Sequence, residues 1–297
     1  MNQTTKITSN APMKDVALVL EGGGFRGIYT AGVLDAMMQK QLYFSYLIGV
    51  SAGAAYSVSY ISHQYERNLA VNQYVSDKRY CSWRNFIKLG TYFNWEFVYH
   101  IIPTQIIPFD YNTFYQSPSH LKVVVTNAMT GKAEYQELRT NRPDEFRDWL
   151  TATSSLPFIA RPKQINGQLY MDGGLSDSIP VQAALKDGNQ RAVVVLTRPR
   201  GYRKKTMKNG WIIKQYYRKY PKLAECIVAR AQAYNQTLDE LEQLEQAGKV
   251  FVIRPAKTLM VSRLENNPNN LKRVYDDSLK QMEEVLPRLS QWLTNNI

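Results

Sequence analysis

The chain has 297 residues, 44% apolar and 12% aromatic, enough for one large α/β domain or two small ones with a packed core, which sets aside a disordered chain. Its formal net charge is +12, and it contains no apolar run approaching the roughly 18 residues that a bilayer span requires. The first fifteen residues are polar and lack the apolar centre of a signal peptide, so a cytoplasmic protein is expected, with peripheral contact at the inner membrane face as an extension of that expectation.

Apolar runs and their periodicity predict a strand over 16–20, a helix over 25–40, a second strand over 43–49, and a helix running from the following serine to about residue 65. The stretch 83–115 is irregular and rich in aromatics and Pro, and is predicted to be an insertion over the edge or mouth of the sheet. Then follow a strand over 121–126, a helix in "EFRDWLTATSS", a strand and turn in "GQLYMDGG", a short helix in "PVQAALKDG" and a strand in "AVVVLT". A long helix, a strand in "KVFVIRP" and a last helix over about 270–292 complete the series. This alternation predicts an α/β fold, three layers with a largely parallel central sheet. No linker or repeat divides it. Residues 14–200 are expected to form the catalytic domain, with 201–297, a basic and helical region, completing the same domain.

Two glycine motifs lie in the first two strand-to-helix turns. In "EGGGFRG", Gly22, Gly24 and Gly27 match the spacing G-x-G-x-x-G of a dinucleotide loop. Such a loop needs an acidic residue about 20 positions further on to hold the ribose. Between Asp35 and Glu66 the chain has neither Asp nor Glu, so a nucleotide cofactor is not expected. In "GVSAG", Ser51 is flanked by Gly49, Val50, Ala52 and Gly53 in the G-x-S-x-G pattern that presents a serine at the N-terminus of a helix. The helix dipole would stabilise an alkoxide there. The histidines are His63, His100 and His120, and none follows residue 120. That order excludes the Ser-Asp-His sequence of α/β-hydrolases, in which the histidine comes last. The remaining base is a carboxylate, and Asp172 in "YMDGGLSDSIPV", followed by the compact Gly173 and Gly174, is the candidate. Cys81 and Cys226 stand far apart without metal-ligand spacing, so neither a disulfide framework nor a metal site is indicated.

Taken in order, "GGGFRG", "GVSAG", "SSLPFIA" and "DGG" resemble the patatin-like phospholipases, over roughly residues 16–197, and in particular bacterial members with a basic C-terminal third. Fold relatives of that family include the catalytic domain of cytosolic phospholipase A2. The resemblance implies a Ser-Asp dyad, Ser51 as nucleophile and Asp172 as base, with no metal or cofactor. It implies a lipid acyl ester as substrate. Where the family often has D-G-A, this chain has D-G-G. On this reading Gly22, Gly23, Gly24, Phe25, Arg26 and Gly27 turn backbone N–H groups toward Ser51 as an oxyanion hole. Arg26 either adds charge there or braces the loop through a salt bridge. An acyltransferase using the same acyl-serine, and a non-catalytic protein that binds anionic membranes, stay open as alternatives.

The charge is local. Residues 198–222 contain ten Lys or Arg and no acidic residue, leaving about +2 for the rest of the chain. Tyr202, Trp211, Ile212, Ile213, Tyr216, Tyr217 and Tyr220 are interleaved with these cations. A solvated loop followed by a packed helix, contact with an anionic membrane, and nucleic-acid binding are the three readings of such a segment. Nucleic acid is not expected as a partner.

Overall fold

A computed structural model describes residues 12–138 and 142–295. The first half of the chain forms β1 (Met13–Leu20), α1 (Ile28–Gln39), β2 (Phe44–Val50), α2 (Ala52–Ile61), α3 (Arg67–Asn72), α4 (Trp83–Leu89) and α5 (Tyr111–Gln116). Next come β3 (His120–Asn127), β4 (Ala133–Glu137), α6 (Pro143–Thr153), β5 (Lys163–Ile165), β6 (Gln168–Asp172), α7 (Val181–Lys186) and β7 (Arg191–Val195). The chain ends with α8 (Gly210–Tyr216), α9 (Pro221–Gln246), β8 (Val250–Ile253) and α10 (Pro268–Thr294).

The strands form one sheet in the order β5-β6-β3-β2-β1-β7-β8, with β4 also paired to β3. From β3 to β8 the neighbours are parallel, whereas β4, β5 and β6 run antiparallel. Side chains on β1 alternate between two cores. Leu18 and Leu20 pack with α1, α2 and α10 on one face, while Ala17 and Val19 pack with α7 and α9 on the other. Burial on both faces is what gives the parallel strands their unbroken apolar runs. The C-terminal region adds β8 to the sheet beside β7 and lays α10 along α1.

Three differences from the predicted elements stand out. The helix over 25–40 is a 3₁₀ turn at Gly24–Gly27 followed by α1. The helix after Ser51 stops at Ile61, so His63 lies beyond its end with a positive φ of 57°. The irregular insertion contains α4, a π-helical run at Phe97–Ile106 and α5, around a stack in which Trp95 lies 5.0 Å from Phe93 and 5.4 Å from Tyr99 between ring centroids. Aromatic packing there replaces backbone regularity. Pro103 interrupts the helical hydrogen bonding, which favours the wider π turn.

Candidate active site

The edge of β3 brings the two motifs together. Its residues 122–126 pair with β4 on one side. The other side is shared: β2 pairs as far as Val50 opposite Val124, and β6 takes over at the next residue, with Asp172 opposite Val125. β2 and β6 therefore end against each other, which sets Ser51, just past the end of β2, beside Asp172, the last residue of β6, although 120 residues lie between them in the chain.

Ser51 occupies the elbow between β2 and α2 with φ 53° and ψ −121°, a conformation an L-residue adopts only under constraint. Close packing around the elbow requires glycine on both sides. A Cβ on Gly49 would lie 2.6 Å from the Ala54 nitrogen, and one on Gly53 would lie 2.6 Å from the Leu20 carbonyl oxygen. The constraint itself comes from Thr153 at the end of α6. The Ser51 N–H donates to Thr153 Oγ1 at 2.8 Å, and that hydroxyl donates to the Val124 carbonyl at 2.6 Å. Ser51 is N-cap to α2, so its Oγ stands at the positive end of that helix.

Asp172 is 2% exposed. Its N–H donates to the Ser155 carbonyl at 2.9 Å, and its own carbonyl accepts from Thr126 Oγ1 at 2.8 Å. These contacts give the "SSLPFIA" block a structural role, since it holds the aspartate turn. Oδ1 accepts from the Gly174 N–H at 2.7 Å. Oδ2 is buried and has no formed hydrogen bond among the described residues, while the Ser51 hydroxyl lies close enough to favour the carboxylate. Burial raises the Asp172 pKa above the ordinary carboxylate range; Arg230, the Ser51 hydroxyl, the Gly174 N–H and Arg263 oppose that rise. A carboxylate in such surroundings is a stronger base than one in water.

The glycine loop differs from the sequence expectation at several positions. Phe25 directs its N–H at the Arg263 carbonyl, 3.3 Å away, and the i→i+3 geometry of the 3₁₀ turn occupies the Gly27 N–H. The N–H groups of Gly23 and Gly24 have no partner among the described residues. Gly24 has φ +57°, and a Cβ there would lie 2.7 Å from the Arg263 carbonyl oxygen. The Gly22 backbone packs on the elbow, where a Cβ would lie 3.1 Å from Ser51 Cβ. Arg26 is buried, forms no ion pair among the described residues and leaves Nε unpartnered, so the salt-bridge brace is not formed. Desolvation, with Arg198 and Arg263 nearby, holds its pKa down to about 10.

Sequence reasoning did not single out Thr153, and it marked Ser155 only as part of the "SSLPFIA" block. It also passed over Glu21, whose carboxylate accepts from the Thr197 N–H at 2.6 Å and from Tyr234 OH at 2.7 Å, tying the glycine loop to β7 and α9. The histidines lie elsewhere: His63 packs against Tyr43, His100 lies 3.8 Å from Glu96, and His120 pairs with Glu137 at 2.8 Å. Cys81 is buried and Cys226 half-buried, each as a free thiol.

The site is thus a serine on a constrained strand–helix elbow facing a buried aspartate in an α/β fold. Residues 18–185 match the family model described as patatin-like phospholipase, and the chain belongs to that family. Residues 220–294 match a second model, a domain of unknown function termed DUF6363. YjjU, an uncharacterized protein of Escherichia coli strain K12, is 30% identical over 200 residues, which is 62% of this chain and 52% of YjjU. The probable lipid hydrolase 463L of Invertebrate iridescent virus 6 is 27% identical over 59% of this chain and 64% of its own length. A lysophospholipase, NTE1 of Cryptococcus neoformans, is 24% identical over 66% of this chain and 12% of its own length. The matched region spans about half to two thirds of the first two relatives. Among solved structures, VipD from Legionella pneumophila aligns with a TM-score of 0.45 at 13% identity, over 91% of this chain and 66% of that one.

Proposed function

We propose that the chain is a serine-dependent lipid acyl hydrolase, a carboxylic ester hydrolase working through an acyl-serine and a Ser51–Asp172 dyad. The observation that carries this reading is the unpartnered, buried Oδ2 of Asp172 beside a serine held at φ 53°. In the first half-reaction the Ser51 hydroxyl proton passes to Asp172 as Oγ bonds to the ester carbonyl carbon. The N–H groups of Gly23 and Gly24, with the α2 N-terminus, hold the oxyanion, and preorganised donors of this kind contribute about 3 kcal/mol each to a transition state. The carbonyl–alkoxy bond then breaks, and the alcohol leaves with the proton from Asp172. Water repeats the sequence in reverse: it gives a proton to Asp172, its oxygen bonds to the acyl carbon, and Ser51 recovers its proton as the acid departs. Asp172 is suited to both steps, because desolvation strengthens it as a base while Arg230 and the Gly174 N–H favour its carboxylate form.

An apolar cavity of about 70 Å³ between α2, α6 and the π-helical run is lined by Tyr56, Val98, Tyr99, Phe109 and Leu150 and suits part of an acyl chain. Tyr99 joins it to the site by hydrogen bonding to Ser154 at 3.0 Å. No helix among the described residues is long and apolar enough to cross a membrane. A peripheral contact with an anionic inner membrane face fits α8, which buries Ile213, with Tyr217 just past its end, and exposes Trp211, Ile212 and Tyr216 among lysines and arginines.

The test compares wild type, Ser51→Ala and Asp172→Asn on a p-nitrophenyl ester and a phospholipid panel, together with fluorophosphonate labelling. Both variants are expected to fold and to lose turnover, and Ser51→Ala to lose labelling. Wild-type turnover in either variant would remove the dyad.

A further inference from the structure

Once folded, the basic segment sets its charges in different surroundings, and most of them stay exposed. Arg200, Arg203 and Lys222 face outward and are paired with Glu245, Asp239 and Glu225 at 2.8, 2.6 and 2.9 Å. Arg198 and Lys204 turn inward, and neither forms an ion pair among the described residues. They line a cleft of about 560 Å³ together with Arg230 of α9 and Arg263 of the loop before α10, which are likewise without ion pairs among the described residues. The inward cations are positioned by specific contacts. Lys204 is clamped to α9 by the Asn235 side chain, whose Oδ1 accepts from the Lys204 N–H at 2.8 Å and whose Nδ2 donates to the Lys204 carbonyl at 3.0 Å, and its side-chain nitrogen lies 3.8 Å over the Tyr234 ring. The Arg198 guanidinium lies 4.5 Å over Tyr202. Arg230 leaves Nε buried without a partner, and one of its terminal nitrogens lies 3.2 Å from where a Cβ on Gly174 would stand.

With the exposed Lys205 at its rim the cleft gathers five cations, which repel one another, and partial burial of the other four adds to the penalty. Lys204 has its pKa lowered to about 6 by desolvation first and by Arg230 and Arg263 next. The carboxylates within reach are Glu21, whose oxygens are already engaged by Thr197 and Tyr234, and Asp172 itself. The cluster is therefore short of negative charge. Its opposite wall is apolar, with Leu156, Phe158, Ile159 and Leu175 descending from the block and turn that hold Asp172. A phosphoryl group matches such a cleft, because its oxygens accept from several guanidinium and ammonium donors at once.

We propose that this cleft binds the phosphoryl group of the substrate, so that the chain selects acyl esters carried on an anionic phosphoglycerol headgroup. The proposal rests on the hydrolase reading and deepens it. The recognition residues Arg198, Lys204, Arg230 and Arg263 all lie beyond residue 185, where the match to the patatin-like family model ends. Arg230 sits against the aspartate turn, so a phosphate held there leaves the neighbouring glycerol ester on the side of Ser51.

The experiment uses the full chain and two measurements. The first is kcat/KM for dioleoylphosphatidylglycerol and for dioleoylglycerol in mixed micelles, with wild type, Lys204→Met and Arg263→Met. The ratio of the anionic to the neutral ester is expected to fall at least tenfold in each variant, carried by KM. The second is the thermal shift produced by glycerol 3-phosphate, with inorganic phosphate alongside. A rise in Tm is expected for wild type and for Ser51→Ala, and no rise for the two cleft variants; Lys204→Gln and circular dichroism separate lost binding from lost folding. Ester cleavage with an unchanged ratio, or a shift with inorganic phosphate but not with glycerol 3-phosphate, overturns the proposal and leaves the hydrolase reading standing. Glycerol 3-phosphate binding without cleavage of any ester overturns the hydrolase reading, and with it the substrate assignment, while the cleft remains an anion site.

Discussion

Replacing Thr153 with Val tests whether the elbow is held from outside. The two side chains have nearly the same shape, so no cavity opens; the change removes the hydroxyl alone. That hydroxyl accepts from the Ser51 N–H at 2.8 Å and donates to the Val124 carbonyl at 2.6 Å, in a residue that is 0% exposed. Each buried group left unpaired costs about 1–3 kcal/mol. Relaxation of the Ser51 backbone from its constrained φ returns part of this, since such conformations store about 1–3 kcal/mol. The expected net loss is about 3 kcal/mol of stability, measured by urea unfolding. A shift of Ser51 Oγ by about 1 Å costs on the order of 10²-fold in rate, so fluorophosphonate labelling and ester turnover are expected to fall by that factor. Thr153→Ser keeps the hydroxyl and loses one methyl group, about 1 kcal/mol, with turnover close to wild type. If Thr153→Val unfolds at the wild-type midpoint and labels at the wild-type rate, the elbow does not depend on this strut.

Asp172 has a raised pKa in the folded protein, so its ionised form opposes folding, and the stability it contributes below the ordinary carboxylate range is lost as pH rises through the folded value. Asp172→Asn is therefore expected to raise Tm at about pH 8 and to lose that advantage near pH 4; the acid limb of wild-type kcat/KM is expected above the usual carboxylate range. Asp35, buried between α1 and α10, has its pKa pushed up to about 6 by desolvation, against hydrogen bonds from Tyr275 OH at 2.6 Å and the Glu66 N–H at 3.1 Å. The same sign holds, so Asp35→Asn is expected to stabilise by about 1–3 kcal/mol at pH 8 and not at pH 4, as read by denaturation at the two pH values; a pH-independent difference would contradict it. Gly24→Ala is expected to cost about 1–2 kcal/mol from its φ of +57° alone and more from the approach to the Arg263 carbonyl, with turnover reduced well beyond the change in Tm. Equal losses in turnover and folded fraction would show that the loop acts only on stability.

The sequence by itself determined the α/β alternation, because buried parallel strands and amphipathic helices carry their periodicities locally. It also marked the glycine loop, the elbow at Ser51 and the turn at Asp172, because each needs small residues at fixed short spacing around one special backbone geometry. It left β4 and β5 unmarked, since short edge strands lack an apolar repeat, and it gave the helix in the basic segment only as one of three readings.

The tertiary structure alone decided that β2 and β6 meet end to end along one edge of β3, which is what sets Ser51 beside Asp172. It decided that Thr153 restrains the elbow and that Phe25 gives its N–H to Arg263. It also turned Arg198 and Lys204 of the basic run toward the cleft, without ion pairs among the described residues, while Arg200, Arg203 and Lys222 face outward in ion pairs. Hydrogen bonds and charge pairing act between residues far apart in the chain, so no local pattern records them until the sheet has brought the segments together.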